Sequence, residues 1–157
     1  MVIDHEGGDF SLWSIEDRAW AAGFIDGDGM ISFYLRSDRK NDFYVKVGAA
    51  NTELAPLEKL QLMFGGSICT VHKATASKNW SPSWAWTVTH RRAERVLRAI
   101  APFLVCKHRQ ASSAIESRAL ISGDKSRRSP EVIAQLRATE LRFRELNRKG
   151  LKHELPN

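Results

Sequence analysis

Residues 30–36 alternate: Ile31, Phe33 and Leu35 are apolar, with Ser32, Tyr34 and Arg36 between and beyond them. A period of two marks a half-buried strand. Residues 43–49 repeat it, with Phe43, Val45 and Val47 on one face and Tyr44 and Lys46 on the other. The polar stretch 37–42 between them reads as a hairpin loop. A second pair of strands is predicted over 67–73 and 84–89, joined by a Ser-, Lys- and Ala-rich loop; in the latter strand Trp84, Trp86 and Val88 alternate with Ala85, Thr87 and Thr89. Helices fill the intervals. Ser14 with Asp17 three residues on resembles a capping box, and opens a helix that runs to about Gly27. A helix over 53–64 has Pro56 in its first turn and is ended by Gly65-Gly66. Ala93, Val96, Leu97 and Ile100 share one face of a helix that Pro102 stops, and another spans 107–121. After a basic linker over 122–129, Ser129-Pro130-Glu131 starts a last helix. Its inner face carries Val132, Leu136, Phe143 and Leu146, and Gly150 ends it.

The predicted order is α-β-β-α-β-β-α with extra C-terminal helices. Two hairpins with helices gathered on one side define an α+β fold. The expected organisation is a flexible arm over 1–12 and one domain over 13–157, with its core about 13–121 and a helical extension over 129–150. Helices would cover the apolar sheet face, where Trp84, Trp86 and Cys69 are expected. The other face would carry Ser32, Tyr34, Arg36, Tyr44, Lys46, Thr70 and His72, with no partner in the chain. Such a face is either a solvated sheet surface or a ribbon able to enter the DNA major groove.

Composition sharpens this choice. The 157 residues are 43% apolar and 27% charged, enough for a core. No apolar run approaches the ~18 residues of a membrane span. The first ten residues are acidic and Gly-rich, unlike a signal or transit peptide. The two cysteines, Cys69 and Cys106, form no Cys-x-x-Cys pair, which argues against zinc and a disulfide framework and for a reducing, intracellular setting. Lys and Arg number 24 against 18 Asp and Glu, a formal charge of +6 with pI near 9.6. That excess favours polyanions, nucleic acid ahead of an anionic membrane surface.

The first helix carries the chemistry. Ala19, Gly23 and Gly27 lie four apart on one stripe, where small side chains let another backbone approach closely. Glycine inside a helix costs ~1 kcal/mol relative to alanine, so Gly23 implies a packing reason. Trp20 and Phe24, on a different stripe, are expected to enter the core. The helix ends at Asp26-Gly27-Asp28-Gly29, two carboxylates beside the last helix carbonyls. Each acid is disfavoured there by ~0.3–1 kcal/mol at the negative end of the helix dipole. Concentrated negative oxygen suits a hard divalent cation, though a plain solvated turn has the same composition. The spacing does not match an EF-hand loop.

The run Ala21-Ala22-Gly23-Phe24-Ile25-Asp26-Gly27-Asp28-Gly29 resembles the LAGLIDADG motif of homing endonucleases. It departs from it at Ala21, Phe24 and Gly27. The likeness continues, in order, through Asn51-Thr52-Glu53-Leu54, Leu57-Glu58-Lys59-Leu60, Phe64-Gly65-Gly66-Ser67-Ile68 and Ala101-Pro102-Phe103-Leu104-Val105-Cys106-Lys107. It covers roughly residues 13–121 and leaves the N-terminal arm and the C-terminal helices unexplained.

The resemblance implies an αββαββα core with a curved antiparallel DNA-binding sheet. A chain with one motif would be a homodimer, packing Ala19, Gly23 and Gly27 against their mates about a twofold axis and bringing two Asp28 carboxylates together. The implied reaction is hydrolysis of one phosphodiester per strand of a long, roughly palindromic double-stranded DNA site. Mg²⁺, or another divalent cation such as Mn²⁺, would be held by Asp28 and the Gly27 carbonyl. Asp26 matches the motif's more structural acid. Asn51 matches a residue that orients water, and also suits a helix N-cap or turn. Lys107 matches the basic residue beside the scissile phosphate. A further basic residue of some relatives has no counterpart, Glu53 standing near its place.

DNA contacts would come from Ser32, Tyr34, Arg36, Tyr44, Lys46, Gly48, Thr70, His72, Ala85 and Thr87 on the open face. Arg39, Lys40, Lys73 and Lys78 in the two hairpin loops would add to them. His108 and Arg109 suit either phosphate contact or a solvated helix start. Arg127, Arg128 and the Arg-rich last helix read as a solvated charged surface. The family resemblance also implies intron-encoded, mobile origins, and an alternative as a non-cutting DNA-binding regulator or a splicing maturase with intron RNA as partner. A plain basic interaction module remains the reading that needs no metal and no dimer.

Overall fold

The capping residues set the first helix. The computed structural model describes residues 13–36, 41–72, 81–121 and 127–148, and in it α1 runs Ile15–Asp28. Ser14 is the N-cap, its Oγ accepting the Asp17 backbone N–H at 3.1 Å, which satisfies one of the donors a helix start leaves free. Asp17 also pairs with Lys59 at 2.9 Å, and this hydrogen bond holds its carboxyl below the usual carboxylate range. Then follow β1 (Gly29–Leu35), β2 (Phe43–Asn51), α2 (Leu54–Phe64), β3 (Ser67–His72), β4 (Ser83–Thr89), α3 (His90–Ile100), α4 (His108–Ile121) and α5 (Pro130–Leu146). Pro102 does not directly follow α3 as a stop. It lies in a 3₁₀ turn, Ala101–Phe103, that begins where the helix ends.

The four strands form one antiparallel sheet in the order β1-β2-β4-β3. Register sets Ile31 opposite Val47, Phe33 opposite Val45, and Ala49 opposite Trp86. One face is therefore continuous hydrocarbon, and these residues share a core with Ile25, Leu57, Leu60, Leu97 and Ile100 of the helices. Trp86 is fully buried, and its indole N–H donates to the Gly65 carbonyl at 2.7 Å. Gly65 and Gly66, at φ 68° and 93°, end α2 in a conformation that other residues rarely adopt. A Cβ on Gly66 would also lie 2.6 Å from the Thr87 carbonyl oxygen. Trp86→Ala should cost about 3–5 kcal/mol in urea unfolding, since it empties the centre of the core and frees that carbonyl; a loss below ~1 kcal/mol would contradict this packing.

Helix α5 gives the C-terminal extension a structural place. Ser129 caps it and Pro130 opens it, as predicted. It lies along the free edge of β1, where Glu140 Oε1 accepts the Leu35 N–H at 3.4 Å and Asn147 Nδ2 donates to the Ile31 carbonyl at 2.9 Å. Phe143 packs on Phe33, ring centroids 5.8 Å apart. An open strand edge is a template for unwanted pairing, and this helix covers it. It stops at Leu146, with Asn147 as its cap, before Gly150, which lies outside the described residues.

Three expectations are corrected. Cys69 is exposed rather than in the core, as is Val71, because β3 is the outer strand and Ile68 is the residue set opposite Trp86. Thr70 pairs with Trp84 and so takes the helix-side register, not the open face; a one-residue difference in register exchanges the two faces. Arg128 is not a solvated charge: it donates to the carbonyls of Asn41 and Ile121, both at 2.7 Å, tying the first hairpin to the end of α4. Among the described residues no helix is long and apolar enough to cross a membrane.

Candidate active site and nucleic-acid interface

Helix α1 passes into β1 without a loop, Asp28 being its last residue and Gly29 the first of the strand. A Cβ on Gly29 would lie 2.6 Å from Ile25 Cα, so only glycine allows so abrupt an exit. The result presents Asp28, exposed, at the rim of the sheet. Because Gly29 pairs with Ala49, the end of β2 runs past the end of α1, and Asn51 arrives beside Asp28. Its Nδ2 donates to Asp28 Oδ2 at 2.9 Å, while its Oδ1 accepts the Glu53 N–H at 2.8 Å. The Glu53 donor fixes which way the Asn51 amide faces. Asn51 is thus a turn residue ahead of α2 and a hydrogen-bond partner of the Asp28 carboxylate. Asp28 Oδ1 accepts no hydrogen bond among the described residues.

Asp26 faces the other way. Its Oδ2 accepts the N–H groups of Val105 and Cys106 at 2.6 and 3.2 Å, and its Oδ1 that of Lys107 at 2.9 Å. The Lys107 ammonium donates to the Asp26 carbonyl. Lys107 therefore sits against the end of α1, two residues before Asp28. His108 Nδ1 lies 3.0 Å from the Val105 carbonyl, and the side chains of His108 and Arg109 are exposed. No group of three or more His, Cys, Asp or Glu that could hold a metal ion occurs among the described residues.

The outer stripe of α1 is bare. Gly23 and Gly27 are exposed, and a Cβ on either would meet nothing within 4 Å. Trp20 and Phe24, expected in the core, are only half-buried. They stack on each other with centroids 5.6 Å apart, and the Lys59 ammonium lies 4.4 Å from the Trp20 ring. The core side of the helix is Ala21, Ala22 and Ile25 instead. The wide rings thus flank the glycine stripe.

On the open face of the sheet, Ser32 pairs with Lys46, Tyr34 with Tyr44, and Gly48 with Thr87; Ala85 lies farther along β4 on the same face. Arg36 follows β1 directly, its N–H bonded to the Asp42 carbonyl at 2.9 Å. The Tyr34 and Tyr44 hydroxyls are hydrogen-bonded to each other. Burial pushes the Tyr44 phenol above its ordinary range, so it stays a neutral donor near pH 7. The sequence did not single out His90, whose ring lies 5.6 Å from Tyr44 and whose φ is 54°. Only the pairing of Thr89 with Lys46 brings it there. A bulge between Thr70 and His72 sets His72 opposite Ser83. Ser67, opposite Thr87, and Cys69, opposite Ala85, take the place of Thr70 on this face of β3. Arg39, Lys40, Lys73 and Lys78 lie outside the described residues.

No protein-family model matches the sequence, and no curated protein matches it. Solved structures do share its fold. The homing endonuclease I-CvuI, in complex with the I-CreI target in the presence of Mg, superposes with a TM-score of 0.70 at 19% identity over 88% of each chain. The archaeal intron-encoded homing endonuclease I-Vdi141I, complexed with DNA, gives 0.65 at 16% identity, again over 88% of each chain. The meganuclease I-SmaMI, bound to uncleaveable DNA, gives 0.61 at 20% identity, but 81% of this chain covers only 44% of that one. The protein has the α+β fold of the homing endonucleases, with an open four-stranded antiparallel sheet.

Proposed function

We propose that the protein is a LAGLIDADG homing endonuclease of the single-motif type. As a homodimer it binds a long, roughly palindromic double-stranded DNA site and hydrolyses one phosphodiester in each strand with a divalent metal. The observation that carries this reading is the convergence at the end of α1, where an exposed Asp28 is held by Asn51 with Lys107 pinned alongside, at the rim of the polar sheet face.

The donor chemistry fits a hard cation. Asp28 has one carboxylate oxygen without a hydrogen bond, and the Gly27 carbonyl is the second candidate ligand. One acid per chain is too few for a closed protein cage, which suits Mg²⁺ or Mn²⁺ completed by water, by DNA phosphate and by a second copy's Asp28. When bound, the ion supplies charge stabilisation at the scissile phosphate and a more acidic water. Asn51 holds Asp28 in place through its amide donor. Lys107 puts a fixed positive charge beside the phosphate, where negative charge develops.

A further observation supports the assembly. The bare Gly23 and Gly27 positions leave room for a second α1 at backbone distance. Twofold symmetry would place two polar sheet faces along one duplex, Ser32, Tyr34, Tyr44, Lys46, Ala85 and Thr87 reading base edges and the basic excess neutralising phosphates. The compartment is then any that holds DNA.

Incubation with a plasmid library of randomised sites tests the proposal. We expect double-strand cutting at one near-palindromic sequence with Mg²⁺ and none with EDTA. Tight, site-specific binding without cutting in any divalent metal would move the protein to the non-cutting regulators of the same fold.

A further inference from the structure

We propose that Asp26 is a positioning residue: it clamps the start of α4 to the end of α1 and thereby sets Lys107 relative to Asp28, without itself binding the metal. This rests on the proposed nuclease function only for its kinetic consequence; the clamp itself is a property of the protein alone.

Three successive N–H groups, of Val105, Cys106 and Lys107, converge on one carboxylate at 2.6, 3.2 and 2.9 Å. They lie in the turn that leads into α4, whose first helical bond runs from the Ala111 N–H to the Lys107 carbonyl at 3.0 Å. A helix start leaves such donors without partners, and here the acid comes from another element, 79 to 81 residues away in sequence. A carboxylate acceptor makes each bond charge-assisted and suits the positive end of the α4 dipole. The same residue's carbonyl receives the Lys107 ammonium. Lys107 is thus held at both ends, by its backbone through the Asp26 side chain and by its side chain through the Asp26 backbone. A long, flexible lysine becomes a fixed charge, and its distance to Asp28 is set by two residues of helix. Both Asp26 oxygens are engaged, so binding a cation would require breaking this hold.

The test combines Asp26→Asn with Lys107→Ala and the double variant. Asparagine keeps an acceptor oxygen for part of the cluster but turns an amide donor towards the rest. We expect amide hydrogen exchange at Val105 and Lys107 to speed up by about tenfold or more in metal-free Asp26→Asn, with the fold retained by circular dichroism. In the cleavage assay kcat should fall by about 10- to 100-fold, as for a displaced catalytic group. KM for DNA and the half-saturating Mg²⁺ concentration should stay near wild type. The double variant should be no slower than Lys107→Ala alone, because both changes disable one device. A raised Mg²⁺ requirement with unchanged exchange would make Asp26 a metal ligand and overturn the proposal. Additive losses in the double variant would overturn it too. If the wild-type protein cuts no DNA, the nuclease reading fails, and the exchange measurement still decides the clamp.

Discussion

Asp28→Asn is expected to remove Mg²⁺-dependent double-strand cleavage while leaving site-specific DNA binding in place. The substitution preserves shape. Its side-chain oxygen can still accept the Asn51 amide donor, so the junction of α1, β1 and β2 should hold. What disappears is the only carboxylate of this helix end that is not saturated by backbone donors. Metal stabilisation of a phosphoryl transition state is worth several kcal/mol, and about 4 kcal/mol corresponds to roughly 10³-fold in rate. The change also lowers the negative charge facing the DNA backbone, so binding without metal should tighten slightly. Cleavage of a site-bearing supercoiled plasmid, beside gel-shift titration of the same site, measures both effects. Cutting at the wild-type rate would remove Asp28 from the metal site.

Gly23 provides a test of equal size for the assembly. In an isolated monomer Gly23→Ala should be stabilising by about 1 kcal/mol, since a Cβ there meets nothing within 4 Å and alanine is the better helix former. In a dimer that packs α1 against its twin the sign reverses, because each copy inserts a methyl where two backbones meet. Overpacking of this kind costs about 1–3 kcal/mol, and Gly23→Leu should go well beyond it. We expect Gly23→Leu to sediment as a folded monomer, with its dimer dissociation constant raised by roughly 10²-fold or more and cleavage lost. A variant that remains dimeric at the wild-type affinity would place the interface elsewhere, and a wild type that is monomeric would leave Gly23 without a reason.

Much of the fold could be read along the chain because its signals are local. The caps at Ser14 and Ser129, the Gly65-Gly66 stop and the period-two runs in β1, β2 and β4 each depend on residues a few positions apart. The α-β-β-α-β-β-α order follows from them, and the motif resemblance identified Asp28, Asn51 and Lys107 as candidates that the fold brings to one helix end. The face of β3 was not legible, since Ile68 offers one apolar parity and Cys69 with Val71 the other. Its pairing with β4 and a bulge decide the matter. The helical wheel of α1 does not say which of its apolar residues face the core. Packing against β2 and α3 selects Ala21, Ala22 and Ile25 and leaves Trp20 and Phe24 on the flank.

By itself, then, the sequence determined which elements form and in what order, because hydrophobic period and capping are written within a turn or a strand, and its motif resemblance supplied the residues of candidate chemistry. The tertiary structure alone decided that Asp26 meets residues 105–107, that Arg128 secures the first hairpin, that α5 closes the β1 edge and that His90 joins the open face. Each of these contacts is made between elements far apart along the chain. Strand register and helix packing in three dimensions set them, and no local pattern of residues encodes either.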